Sequence, residues 1–191
     1  MSSPDLISAI QKNDITAKKE VFHLYYGKLA AIANRYCKNQ QQAEEVLNLG
    51  FNSCFEKLQN MRNSKVPTLD TFFEKEFILE CVAYVKSIRS EYYVSSTVYA
   101  TDNATSKNYN LFENNEVIDF NHLDTETLVR SLQQMVPSQR LIFNLHVIEG
   151  HSLSEAAAIL ESSEETVKSN LEKARFNFQK NIEKSLKQIK A

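Results

Sequence analysis

The sequence predicts an all-α protein: two small helical domains joined by a flexible linker. Three observations carry this expectation. Apolar residues recur at spacings of three and four near both ends of the chain, the period of a helix face turned towards a core. Only three glycines and three prolines occur in 191 residues, too few for a turn-rich β architecture. Charge is unevenly spread: residues 1–95 carry a net +1, residues 96–127 a net −5 and residues 128–191 a net +2, within a formal total of −2. The acidic middle includes STVYATDNATSKNYN, which has no clear period. The expected domains are therefore residues 1–92 and 126–191, with an acidic linker over 93–125. Such a linker is either simply solvated or an acidic mimic of nucleic acid that occupies a basic channel on a partner.

The front domain reads as helices throughout. Leu6, Ile7 and Ile10 make a first short amphipathic turn. Ala17, Val21, Leu24, Tyr25, Leu29, Ile32 and Tyr36 form a second stripe, which Asn39 and the following glutamines break. Ala43, Val46, Leu47, Phe51, Cys54, Phe55 and Leu58 form a third. After the loop NSKVPT, Thr71 and Glu74 fit a capping box, and Phe73, Phe77, Cys81, Tyr84 and Ile88 share a face that runs to about Tyr92. Tyr25 and Tyr26 read as core. Three long amphipathic helices can bury a common core.

The rear domain begins with Leu128, Leu132 and Met135. Pro137 suits the first turn of the next helix, whose buried face is Leu141, Ile142, Leu145 and Ile148. Gly150 falls where a terminating glycine belongs. Ser152 and Glu155 form a capping box that opens the short helix SEAAAIL, and Ser163 can cap the last helix. Val167, Leu171, Ala174, Phe178, Ile182, Leu186 and Ile189 make that helix's inner stripe. A short helix, a tight turn and a second striped helix over residues 151–175 form a helix-turn-helix, whose second helix enters the DNA major groove in such proteins.

Several classes are excluded. No run is apolar enough to span a bilayer, and MSSPDLISAIQKND lacks a basic-then-apolar export signal, so a cytoplasmic protein without membrane insertion is expected. Cys37, Cys54 and Cys81 lie within helical patterns at spacings wrong for zinc, which suits buried thiols in a reducing compartment. His23, His122, His146 and His151 show no ligand spacing. With no phosphate-cradling glycine loop and no nucleophile–base pattern, neither enzyme chemistry nor a metal or cofactor is expected.

Two blocks carry a family resemblance. AEEVLNLGF, residues 43–51, resembles the region 2.2 signature of sigma-70 family sigma factors, commonly written AEDVVQEVF. VPSQRLIFNLHVIEGHSLSEAAAILESSEETVKSNLEKAR resembles their region 4, with EG-S-E-A, T-V-K-S and A-R in register. The chain is similar to the extracytoplasmic-function, or group four, type over about residues 5–91 and 127–180. The resemblance implies a promoter-directing partner of RNA polymerase core, held by an anti-sigma protein. It places Glu44, Glu45, Asn48 and Phe51 against a coiled coil of the large polymerase subunit. Acidic and amide groups beside an apolar anchor suit a helix bearing arginines.

It also implies two DNA contacts. The region that melts and holds the −10 element needs aromatic platforms and basic groups. Lys86 and Arg89 keep the basic character, and Phe72, Phe73, Tyr92 and Tyr93 are the candidate platforms, although Phe73 also fits the core stripe. This chain has no tryptophan, where the family usually carries one near Lys75 or Glu76. Val82 stands near a usual asparagine, and Glu74, Glu76, Glu80 and Glu91 would repel phosphate. In the region resembling 4, Ser163, Thr166, Lys168, Ser169, Lys173 and Arg175 are the candidate contacts to the −35 duplex. Departures occur here too: Glu161 replaces the turn glycine, Ser162 a buried isoleucine and Asn170 an arginine. At about 100° per residue from Val167, the face opposite the core holds Glu165, Ser169, Glu172, Lys173 and Phe176. Two functions follow: a working alternative sigma factor, or a sigma-like regulator that binds polymerase or an anti-sigma protein without reading promoters.

Overall fold

In the computed structural model of the chain, residues 3–61, 68–88 and 123–189 are described, and every regular element among them is helical. The chain divides into two compact units, Met1–Tyr84 and Val85–Ala191.

The first unit is built from α1 (Ser3–Gln11), α2 (Ile15–Tyr36), α3 (Gln40–Asn60) and most of α4 (Leu69–Ser87). Asp14 caps α2, its carboxylate accepting from the Thr16 N–H at 2.7 Å and the Ala17 N–H at 3.2 Å. Asn39 ends the link from α2 and caps α3, accepting from the Gln42 N–H at 2.9 Å. So the residue that breaks one apolar stripe starts the next helix, as the preference of asparagine for this position requires. The core is aromatic: Phe73 of α4 stacks on Tyr25 at 5.1 Å and meets Phe51 and Phe55 of α3 at 6.2 and 5.7 Å. Cys37, Cys54 and Cys81 are free thiols inside this core. Burial pushes the Cys54 thiol up to about 12, so it carries no thiolate at neutral pH.

Four expectations change here. Leu24 is 63% exposed and Tyr26 is exposed, because the α2 stripe is narrow and passes through Val21, Tyr25 and Leu29. Thr71 does not cap α4. Thr68 does, its hydroxyl accepting from the Thr71 N–H at 3.3 Å, and the earlier start lets the helix bury Leu69. The helix ends at Ser87, short of the expected Tyr92, which lies outside the described residues. Phe72 is buried beside Phe73, so neither ring offers a platform to a base, and Tyr93 lies outside the described residues.

The second unit contains α5 (Thr125–Gln133), α6 (Pro137–Ile142, continued as a π-helical turn over Phe143–Ile148), α7 (Leu153–Leu160) and α8 (Glu164–Ile189). Helices α5, α6 and α7 pack on α8. Leu132, Met135, Phe143, Ala174 and Phe178 form a core cluster, with the Phe143 and Phe178 rings 4.7 Å apart. Pro137 begins α6 as expected, and Gly150 has φ +77°, the left-handed conformation that glycine adopts freely. Ile148 does not join the buried face: it is 41% exposed. The π-helical turn takes more residues per turn than an α-helix and rotates Ile148 off the line through Leu141 and Leu145. Ile189, at the end of the inner stripe, lies outside the residues whose side chains are described.

A buried polar lattice supports this unit. Arg140, 1% exposed, donates to the carbonyls of Gln133 at 3.1 Å and Met135 at 2.9 Å. Asn177 donates to Gln139 Oε1 at 2.7 Å, and Asn181 to the Ser131 carbonyl at 3.0 Å. These bonds satisfy carbonyls at the end of α5 and tie α8 to α5 and α6.

Candidate nucleic-acid and protein interfaces

The helix-turn-helix is assembled by local chemistry. Ser152 Oγ accepts from the Glu155 N–H at 3.1 Å, and the Glu155 carboxylate accepts from the Ser152 N–H at 2.8 Å, a complete capping box. The Ser152 backbone N–H, then its hydroxyl, hold the Glu155 carboxyl below its ordinary range. At the other end, Glu161 adopts φ 54° and ψ 46°. The Ser162 N–H reaches the Ala157 carbonyl at 3.0 Å and the Glu161 N–H reaches that of Ala158 at 3.3 Å, the two bonds of a Schellman turn. Glu161 thus takes the left-handed conformation usually given to glycine, at a cost of about 1 kcal/mol. Ser163 then caps α8, its hydroxyl accepting from the Thr166 N–H at 3.2 Å.

This frame fixes which face of α8 points outwards. Val167, Leu171 and Ala174 are buried. Ser163, Thr166, Lys168, Ser169 and Arg175 are exposed and Lys173 is half-buried, as are Asn170 and Phe176. All six residues expected to meet the −35 duplex therefore lie on or beside one accessible surface. Glu165 and Glu172 are exposed on that surface with them.

On α3, Glu44, Glu45 and Asn48 are exposed along one face. Gln40 donates to Glu44 at 2.8 Å, and the Tyr84 hydroxyl donates to Glu45 at 2.7 Å. Phe51 is 3% exposed, its ring 4.6 Å from that of Phe22, so it sets the helix from beneath instead of reaching outwards. The apolar group that does project is Leu49, 52% exposed and one turn from Glu45. Sequence reasoning passed over Leu49; its position outside the stripe Val46, Leu47, Phe51 was the available signal.

Of the residues expected at the −10 element, Lys86 lies in the last turn of α4 and Arg89 outside the described residues. Val82 is buried. The acids of α4 are partly neutralised. Lys28 bridges Asp70 and Glu74 at 2.8 and 3.0 Å, and Lys57 bridges Glu76 and Glu80 at 3.0 and 2.9 Å. Burial alone would raise the Glu80 carboxyl, but the Ser53 hydroxyl and the Lys57 ammonium together hold it below 4.5. Each group of three keeps one net negative charge, so the repulsion of phosphate is reduced and not abolished. Glu91 lies outside the described residues.

Comparison with known proteins bears directly on the second unit. The family model described as "Sigma-70, region 4" matches residues 125–175, which run from the start of α5 through the first half of α8. That stretch of the second unit is therefore similar to a sigma-70 region 4. Among solved structures, the chain is similar to the sigma factor RpoE, in its complex with the anti-sigma factor NepR from Bartonella quintana. The TM-score is 0.52 at 20% identity, over 86% of this chain and 96% of that one. Over the aligned residues the chain therefore shares the helical fold of that structure. A further similarity, to CnrH in complex with the cytosolic domain of CnrY, has a TM-score of 0.47 at 15% identity over 95% of this chain and 97% of that one. A search of curated proteins gave no match. Among the described residues, no group of histidine, cysteine and acidic side chains could hold a metal, and no helix is long and apolar enough to cross a membrane.

Proposed function

We propose that this chain is an alternative sigma factor of the extracytoplasmic-function type. It binds RNA polymerase core in the cytoplasm and directs promoter-specific initiation, acting as a regulator and not as an enzyme. The observation that carries the reading is the region 4 helix-turn-helix, whose second helix exposes Ser163, Thr166, Lys168, Ser169 and Arg175 together. Its organisation is a polymerase-docking domain over 1–92, an acidic tether over 93–125 and a duplex-reading domain over 126–191. Glu44, Glu45 and Asn48 form the docking face on α3, with Leu49 as its apolar anchor and Phe51 as its internal support. Lys86 and Arg89 serve the −10 side. An anti-sigma protein is the natural antagonist, as NepR is the partner of RpoE in the similar complex.

The competing reading keeps polymerase or anti-sigma binding without promoter recognition. It is favoured by the burial of Phe72, Phe73 and Val82 in a chain without tryptophan, which leaves half-buried Tyr84 as the aromatic side chain of α4 that is not enclosed. Run-off transcription with purified core polymerase and genomic promoter fragments separates the two. Initiation that depends on this chain supports the sigma factor; core binding without open complexes supports the regulator. In the first case Lys168→Ala and Arg175→Ala should each flatten the dependence of DNA affinity on salt by about one phosphate contact. An unchanged slope for both removes α8 from the groove.

A further inference from the structure

We propose that α8 reads cytosine: Glu165 and Glu172 accept hydrogen bonds from base amino groups on the floor of the major groove, while Lys168 and Arg175 on one flank and Lys173 on the other hold the phosphates. This rests on the promoter reading above and names the base at the centre of the element.

The argument begins with how charge is arranged around the helix. With Val167 at zero and about 100° per residue, Glu172, Glu165, the half-buried Phe176 and Ser169 point to about 140°, 160°, 180° and 200°. Arg175 and Lys168 lie at about 80° and 100° on one side, and Lys173 and Thr166 at about 240° and 260° on the other. The acids therefore share the middle of the outward face with Ser169 and Phe176, and the cations occupy its edges. No ion pair among the described residues engages Glu165 or Glu172. A helix in the major groove turns its middle to the base edges and its sides to the two backbones. Cations on the sides fit the backbones, and an acceptor-only group in the middle requires donors below it.

The groove floor has two kinds of donor, the amino groups of cytosine and adenine. Adenine sets its N7 acceptor beside the amino group, which repels a carboxylate. Guanine shows acceptors at O6 and N7, and thymine an acceptor and a methyl group. Cytosine alone offers a donor without an adjacent acceptor on the same base. Glu165 and Glu172 are seven residues, about 10 Å, apart along the helix, a separation of about three base pairs or fewer. The glutamates that look wrong for a DNA-binding surface thus become its source of discrimination.

The test is selection from a randomised duplex library by the full chain bound to core polymerase, repeated with Glu165→Gln and Glu172→Gln. The expected result is enrichment of cytosine at one or two positions. Each glutamine variant should move one position towards adenine, which glutamine pairs through N6 and N7, by about tenfold in relative affinity. The same selected sequence from all three proteins, or uniformly tighter binding without a change in preference, overturns the proposal. An enriched element without cytosine sinks this inference and leaves the promoter reading standing. Failure to enrich any duplex, with core binding intact, removes both.

Discussion

At the scale of single residues, two glycines show how the surroundings decide the sign of a substitution. Gly27 lies on the exposed side of α2, and a β-carbon there would meet nothing within 4 Å. Gly27→Ala should stabilise the protein by about 0.5–1 kcal/mol, by lowering the entropy of the unfolded chain. Gly50 in α3 is buried, and a β-carbon would come 2.5 Å from the Phe77 ring, which is itself fully enclosed. Gly50→Ala gains the same helix propensity but forces that ring aside, so a net loss of about 1–2 kcal/mol is expected. Urea midpoints of the two variants measured side by side check the contrast; a stabilised Gly50→Ala protein would mean that the aromatic core yields easily.

At the scale of elements, Glu161 makes the sharpest prediction. Replacing it with glycine relieves the left-handed backbone, and Glu161→Gly should raise stability by about 1 kcal/mol in thermal melts. A lower melting temperature would show that the side chain does more for the turn than its backbone costs. The same turn shows why much of the fold was legible. Apolar period and capping chemistry are local, so Ser152, Glu155, Pro137, Gly150 and Ser163 announce helix ends within a few residues. What stayed hidden depends on contacts distant in sequence. Nothing near Ile148 signals a π-helical turn, because the extra residue is accommodated by packing on α7 and α8. Nothing near Thr68 says that Leu69 will find the core. For the candidate sites, the outward face of α8 followed from Val167 and Leu171 by periodicity alone. Phe51 was different. It stood in the stripe with Val46, Cys54 and Leu58 and also in a block resembling a docking motif, and the physical pattern outweighed the resemblance.

At the scale of the molecule, stability is tied to carboxylates whose acidity is strengthened by folding. Asp124 caps α5 by accepting from the Thr127 N–H at 2.6 Å; that bond, then the Thr127 hydroxyl, hold its carboxyl below 3.8. Glu155 and Glu80 are likewise held below 4.5. Because the folded values lie under the unfolded ones, their contribution is present above about pH 4.5 and is lost as pH falls through the folded values. Helix content followed by circular dichroism should decline below that pH, and less steeply in an Asp124→Asn, Glu155→Gln double variant. An identical acid profile in the double variant would assign the loss to other groups. Arg140 responds otherwise. A guanidinium keeps its proton at any acidity a cell meets, so its grip on the Gln133 and Met135 carbonyls has no titration to lose. Acid stress should therefore fray the second unit from its helix starts inward, while the corner between α5 and α6 remains a fastened seed from which the rest can re-form when neutrality returns.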